Sequence, residues 1–465
     1  MTSKASHGVI RCHDRVTQAA LVLGAMTAVF SPLFAIAMFR SPRLSRRHLL
    51  ATAPGALALG LSACGGGSDS AGKAQIRVLN LSSDVASLDI DLDAATWVTG
   101  ATTAQLTDYK EVDPDSYDFS LRRSGSTIAL ASGERTLTKD AHYTLVVWGR
   151  ETALTFVTLT EDEDPDDVDS GKARIRVYNA SADSGALDLY LTSTAVDLQD
   201  TTAAQSAVAS GLLSGYRDMS AGSYRLRVTG YGDASDLRLD VGTIALTAKT
   251  FTTLILTGTS SGVLVNGYAL TQQGNVTPMA TGKSRVRVVA SADGRGAVGV
   301  TWAGQPLAAA LSSPTVGPYS SVDAGTQTMN VLVNGQVVSS AQRTLAVGVD
   351  YTLMVWGSGA VSLIADDNRL PTNSARVKLR LIHGSAGTEP LTMAVDYSVT
   401  ASGVVQGAAS AFSTLNASSS VRLDVSTSAD QVYTDDDVTL TAQGVYTAFV
   451  LGGRSTPTGL LRKDR

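Results

Sequence analysis

The chain writes one strand-like phrase four times. "AQIRVLN" opens at Ala74, "ARIRVYN" at Ala173, "SRVRVVA" at Ser284 and "ARVKLRL" at Ala375. In each, apolar and polar residues alternate, the period of a strand with one buried face. Ile76 and Val78 recur as Ile175 and Val177, Val286 and Val288, Val377 and Leu379; Arg77, Arg176, Arg287 and Lys378 fall between them, on the opposite face. A second alternating segment follows, with inward triplets Leu88-Ile90-Leu92, Leu187-Leu189-Leu191, Val298-Val300-Trp302 and Leu391-Met393-Val395. Ile76 and Leu88 are 12 residues apart, a spacing kept in the next two copies; the fourth, counted from Val377, needs 14. The residues between are turn formers such as "SSD" and "SADGRG".

Two further landmarks keep the same order. "PDSYDFSL", "AGSYRLRV", "AGTQTMNV" and "SSSVRLDV" align Tyr117, Tyr224, Gln327 and Val421, and "YTLVVWG", "FTTLILTG", "YTLMVWG" and "YTAFVLGG" align Trp148 with Trp356. The copies start 99, 111 and 91 residues apart. Solenoid units run to about 20–50 residues, so each copy is long enough to own a core. Short strands, regular turns and no helical periodicity predict an all-β chain of four tandem antiparallel β-sandwich domains, like beads on a string. The expected boundaries are 74–160, 173–270, 284–366 and 375–465, with an acidic linker at 161–172 and further linkers at 271–283 and 367–374.

The order "RVxN…LDLY…AGSYRLRV…YTLVVWG" resembles the bacterial domain-of-unknown-function family 4397, found as tandem copies in secreted and envelope proteins. The resemblance covers most of residues 74–465 and weakens in the fourth copy, where "LIHGSAGTEPLTMAV" departs in spacing. It implies that each sandwich is immunoglobulin-like, and it brings no catalytic residue and no cofactor.

Composition removes several function classes. The two cysteines are Cys12 and Cys64, so the repeats hold no disulfide and no thiolate metal site. Residues after Cys64 carry 30 basic and 41 acidic groups. A body with a net charge of −11 and no basic stripe does not suit nucleic acid. Only His142 and His383 lie in the repeats, at unmatched positions, which leaves no histidine-based triad or zinc site.

Carboxylates are the remaining source of chemistry. Asp89, Asp91 and Asp93 alternate with Leu88, Ile90 and Leu92 and share one strand face, where paired carboxylates can do acid–base work. Repeat three has Gly299 and Thr301 there, which favours a solvated face that discourages aggregation. "EDEDPDDVDS", residues 161–170, offers Asp164, Asp166 and Asp167 as a calcium candidate. It lacks the glycine of a looped calcium motif, and a tether extended by its own repulsion is the simpler expectation.

The first 64 residues read as an address. "FRSPRLSRRHLLATAPGALALGLSAC" has a basic segment, an apolar segment and small residues before Cys64, the layout of an export signal. "LSAC" resembles the lipobox of bacterial lipoproteins, in which Cys64 would carry the lipid; Arg46 and Arg47 resemble a twin-arginine signal. "GGGSDS" supplies a flexible tether over 65–73. The apolar run Ala19–Phe39 is either the product of an over-extended start, with initiation at Met38, or a transmembrane helix. Gly65 lacks the Asp that retains lipoproteins in the inner membrane, which points to the outer membrane of a Gram-negative cell.

The expected role is a non-enzymatic envelope lipoprotein, held to the membrane by its lipid and binding a protein or glycan ligand through loops at the sandwich ends. A passive spacer and an enzyme using the carboxylates of repeat one are the alternatives.

Overall fold

The computed structural model describes residues 72–386, 389–453 and 455–465. Residues 1–71, which hold the expected signal segment with Arg46, Arg47 and Cys64 and most of the expected tether, lie outside the described residues. The first repeat contains β1 (Ala74–Ser82), β2 (Ser87–Leu92), β3 (Ala95–Thr102), β4 (Lys110–Val112), β5 (Ser116–Arg123), β6 (Ala129–Thr136), β7 (His142–Gly149) and β8 (Thr155–Thr160). They form two sheets in the orders β4-β1-β7-β8 and β3-β2-β5-β6. Every ladder is antiparallel except β1 with β7, which run parallel. A parallel pair needs a long crossover. Here β2 to β6 supply it, so the parallel ladder closes the sandwich.

All four repeats share this topology. The counterparts of β1 and β7 are Lys172–Ala180 with Phe251–Gly258, Lys283–Ala292 with Asp350–Gly357, and Arg376–Ser385 with Val445–Gly452, each pair parallel. The predicted inward triplets are buried in all four copies, each within its own core. Repeat two adds a fifth strand, Val276–Met279, inside the expected linker 271–283.

The repeats are not separate beads. Alternate residues of β1 and β7 point out of the first core, yet Leu79, Leu81, Val146 and Trp148 are buried against Tyr178, Ala180, Ile255 and Leu270 of repeat two. Val289 and Met354 of repeat three meet Ile382, Phe449 and Leu451 of repeat four in the same way. The sheets built on β1 and β7 therefore stack back to back, one with two and three with four. This explains why "YTLVVWG" runs apolar without alternation: its strand is buried on both faces. Gly384 sits at the second of these contacts. A Cβ there would lie 2.5 Å from Met354 Sδ and 2.8 Å from Leu451 Cδ2, so any side chain at 384 would have to displace them.

The register corrects one expectation. Ile76 pairs with Tyr143 and Arg77 with Thr144; in repeat four the matching pairs are Leu379 with Tyr446 and Arg380 with Thr447. Arg380, not Lys378, is thus the counterpart of Arg77. Counted from Leu379, the distance to Leu391 is 12 residues, as in the other copies. The irregular spacing of repeat four was a two-residue misalignment.

Asp183 joins the two stacked pairs. Its carboxylate accepts from Arg150 Nη2 of repeat one at 3.1 Å and from Leu370 N, between repeats three and four, at 2.8 Å. Burial pushes this carboxyl above its ordinary range, and the neighbouring arginines partly offset the rise.

Candidate functional site

The carboxylates proposed for catalysis in repeat one are all engaged by their own fold. Asp89 accepts from Gly100 N (2.9 Å), Ser124 Oγ (2.8 Å), Gly125 N (3.0 Å) and Arg122 Nη1 (3.1 Å). Arg122 grips Asp91 through Nε and Nη2, both at 2.8 Å. Burial raises the Asp89 carboxyl, but these hydrogen bonds outweigh it and hold the group below its usual range; the Arg122 guanidinium does the same for Asp91. A general acid needs the opposite shift. Asp93 sits in the β2–β3 turn at φ 47° and accepts from Asp118 N at 2.9 Å. Asp188 repeats the part of Asp89 in the second copy, accepting from Ser206 Oγ, Ala207 N and Gly232 N. Asp89 and Asp188 tie edge strand to turn.

The acidic run is no self-repelling tether. Glu161 is buried and takes Arg77 Nη2 at 2.7 Å and Tyr109 Oη at 2.9 Å. Asp162 pairs with Nδ1 of His142, the first residue of β7, at 2.8 Å. Of the calcium candidates, Asp164 accepts from Asp166 N at 2.9 Å and Asp166 takes Lys249 Nζ at 2.8 Å. Among the described residues no group of three or more His, Cys, Asp or Glu side chains is arranged to hold a metal. The partners come from Arg77 of β1, Tyr109 and His142 in repeat one and from Lys249 in repeat two.

A fourfold arginine cluster was not foreseen. Arg77, Arg176, Arg287 and Arg380 each donate Nε to a threonine of the neighbouring parallel strand, Thr144, Thr253, Thr352 and Thr447, at 2.8–3.1 Å. An aromatic ring covers each guanidinium: Tyr109, Tyr216, Tyr319 and Phe412, with centroids 4.5–4.7 Å away. In repeats three and four the carboxylates are exchanged. Arg287 Nη1 reaches Asp464 Oδ1 at 2.5 Å, and Arg380 Nη2 reaches Asp366 Oδ1 at 2.5 Å. Alternation placed Arg77, Arg176 and Arg287, with Lys378 in place of Arg380, opposite the core but gave no sign that a second sandwich covers them. All four are buried, so the cluster holds repeats together.

An open groove of about 650 Å³ lies where repeats two, three and four meet. Tyr231, 61% exposed, stands on the turn between the counterparts of β5 and β6 in repeat two. Beside it Asp236 fixes Arg238 through Nε at 3.0 Å and Nη2 at 2.5 Å. From repeat three, Arg285 is fixed by Asp350 at 2.9 and 2.6 Å. Asp464 and Arg465 complete the lining. The groove offers a free aromatic face beside charged groups whose orientation is set before any ligand arrives. Sequence could not find it, because its walls come from three repeats.

The family model described as "Domain of unknown function (DUF4397)" matches residues 74–190 and 284–394. No curated protein matches the chain. Among solved structures it is similar to CBMbc (family CBM26) from Eubacterium rectale Amy13K in complex with maltoheptaose, at 12% identity over 44% of this chain and 95% of that one, with a TM-score of 0.14. It is also similar to the Bacillus anthracis TIE protein, at 10% identity over 78% of this chain and 66% of that one, with a TM-score of 0.14. Scores this low carry no ligand across to this chain. The two matched stretches open on Ala74 and Ser284, the starts of the first and third copies, and the chain carries tandem domains of the DUF4397 family.

Proposed function

We propose that this chain is a non-enzymatic envelope lipoprotein whose repeats bind a hydroxyl-rich ligand, a glycan, in the groove between repeats two, three and four. The observation that carries the reading is the exposed face of Tyr231 beside the fixed Asp236–Arg238 pair in a groove of about 650 Å³. Ligand sites favour such junctions, with a few oriented polar groups setting specificity and an aromatic ring offering apolar area to a sugar face. The engaged state of Asp89 and Asp91 supports a binding role over carboxylate catalysis. The buried arginine exchange between repeats three and four favours a second reading, a scaffold of fixed geometry.

Calorimetric titration of the full chain in detergent with peptidoglycan fragments and neutral oligosaccharides tests the binding role. We expect saturable binding that Tyr231→Ala weakens at least tenfold. No saccharide bound by the wild type, or equal binding by the variant, refutes it. Anchoring through Cys64 is tested separately. Cys64→Ser should abolish uptake of a palmitate analogue and release the protein from the detergent phase, since several acyl chains hold firmly and none holds at all. Retention of the variant in that phase would move the anchor to Ala19–Phe39.

A further inference from the structure

Among the described residues two aromatic side chains are exposed, Tyr231 at 61% and Tyr397 at 78%. Tyr231 stands in the groove; Tyr397 is not part of its lining. It sits in repeat four, on the turn between Leu391–Val395 and Ser398–Val404, the counterparts of β2 and β3. The turn is two residues long, Asp396–Tyr397, at φ 46° and 65°. Tight turns of this hand favour glycine at the second position, because a side chain there crowds the backbone. Repeats one and three place small residues at that point, Asp93–Ala94 and Ala303–Gly304. Thirteen described residues other than glycine have a positive φ, and Tyr397 is the one aromatic among them.

The ring belongs to neither apolar cluster of repeat four and lies against the Arg422 guanidinium, 5.4 Å from its centroid. That guanidinium is already fixed: Nε donates to Asp424 at 2.7 Å and Nη1 to Asp436 at 2.5 Å. The groove shows the same trio. There the exposed ring of Tyr231 stands by Arg238, whose Nε donates to Asp236, again a carboxylate two residues away. A bulky residue kept where the backbone opposes it, exposed and outside the core, points to use rather than to folding.

We infer that Tyr397 is a second sugar contact, weaker than the groove, for the same hydroxyl-rich class of ligand; this rests on the glycan reading of Tyr231. A sugar ring laid on Tyr397 brings its hydroxyls beside the Arg422 guanidinium and the exposed Asp436 carboxylate, whose orientations are set by their own pairing. The aromatic face meets the apolar face of the sugar. A protein partner is the poorer fit. Aromatic hot spots work inside desolvated, well-packed pockets, and a lone ring on a turn flanked by charges offers none. One open ring covers less of a ligand than a groove does, which makes this the weaker of the two contacts.

Calorimetry on the full chain in detergent, with the same peptidoglycan fragments and neutral oligosaccharides, separates the two contacts. Tyr231→Ala should keep a residual binding at least tenfold weaker than wild type, and adding Tyr397→Gly should abolish it. Tyr231→Ala combined with Tyr397→Phe, which keeps the ring, should retain it. Tyr397→Gly alone should melt no lower than wild type, because glycine accepts φ 65° without strain. Residual binding that survives Tyr397→Gly, or none left after Tyr231→Ala alone, overturns this inference and leaves the groove standing. A wild type that binds no saccharide overturns both. A Tyr397→Gly chain that melts below wild type also overturns it, because the ring would then serve the fold.

Discussion

Asp464→Ala isolates the buried exchange between repeats three and four. Arg287 is 2% exposed, and its guanidinium faces Asp464 at 2.5 Å, Thr352 Oγ1 at 2.8 Å and Asp366 at 4.0 Å. Removing the Asp464 carboxylate leaves a buried cation whose nearest remaining carboxylate already serves Arg380. Breaking one side of a buried pair costs about 3–5 kcal/mol. Asp366 retains part of the attraction, so the lower end, about 3 kcal/mol, is expected. For a unit the size of repeats three and four, each kcal/mol moves Tm by roughly 2–4 °C, which predicts a fall of about 6–12 °C in that transition. Trp356 lies against the shared apolar cluster and reports the transition by fluorescence. Replacing both partners, Arg287→Met with Asp464→Leu, should return stability to within about 1 kcal/mol of wild type, because no uncompensated charge remains. A single variant that melts within 2 °C of wild type, or a double variant no better than the single, would refute the account; 2 °C corresponds to at most about 1 kcal/mol.

Two further outcomes follow from the packing. His383 is fully buried, donates Nδ1 to Val404 O at 3.0 Å, and is pushed by burial below its ordinary value of 6.5. A depressed histidine contributes stability that is present above about pH 6.5 and is lost as pH falls through that value toward the folded pKa, at up to about 1.4 kcal/mol per pH unit. His383→Asn should flatten that slope in urea titrations between pH 7 and 5, since Asn80 and Asn179 make the equivalent bonds to Ala101 O and Val208 O; an unchanged slope would count against it. Repeat two alone, 173–279, exposes Tyr178, Ile255 and Leu270, each worth roughly 1.5–3 kcal/mol when buried. It should melt well below a fragment holding repeats one and two, and circular dichroism showing equal transitions would argue for independent beads.

Much of the single sandwich was legible. The triplets from Leu88, Leu187, Val298 and Leu391 each lie on one face, and alternation assigns such residues to a core without ambiguity. The phase of repeat four was not, because "ARVKLRL" alternates cations at Arg376, Lys378 and Arg380 and looks the same after a shift of two residues. Only pairing with Thr447 fixes it. The stacking of repeats had a visible trace in the unbroken apolar run of "YTLVVWG", which resembles a strand buried on both sides more than a half-buried one. The candidate groove left none. Tyr231, Arg285 and Asp464 are more than fifty residues apart, and nothing in local period or composition draws them together.

Back-to-back stacking imposes a parity on chains built this way. Each repeat has one sheet finished for water and one that demands a cover, so copies are satisfied two at a time. Duplicating or deleting a single repeat would strand an apolar sheet the size of the one under Trp148, whereas duplicating a stacked pair would leave every such sheet covered. Growth and loss in steps of two is then the cheap route. A chain with an odd number of copies must find a lid for the last one, either an added segment of its own or the unpaired repeat of a neighbour.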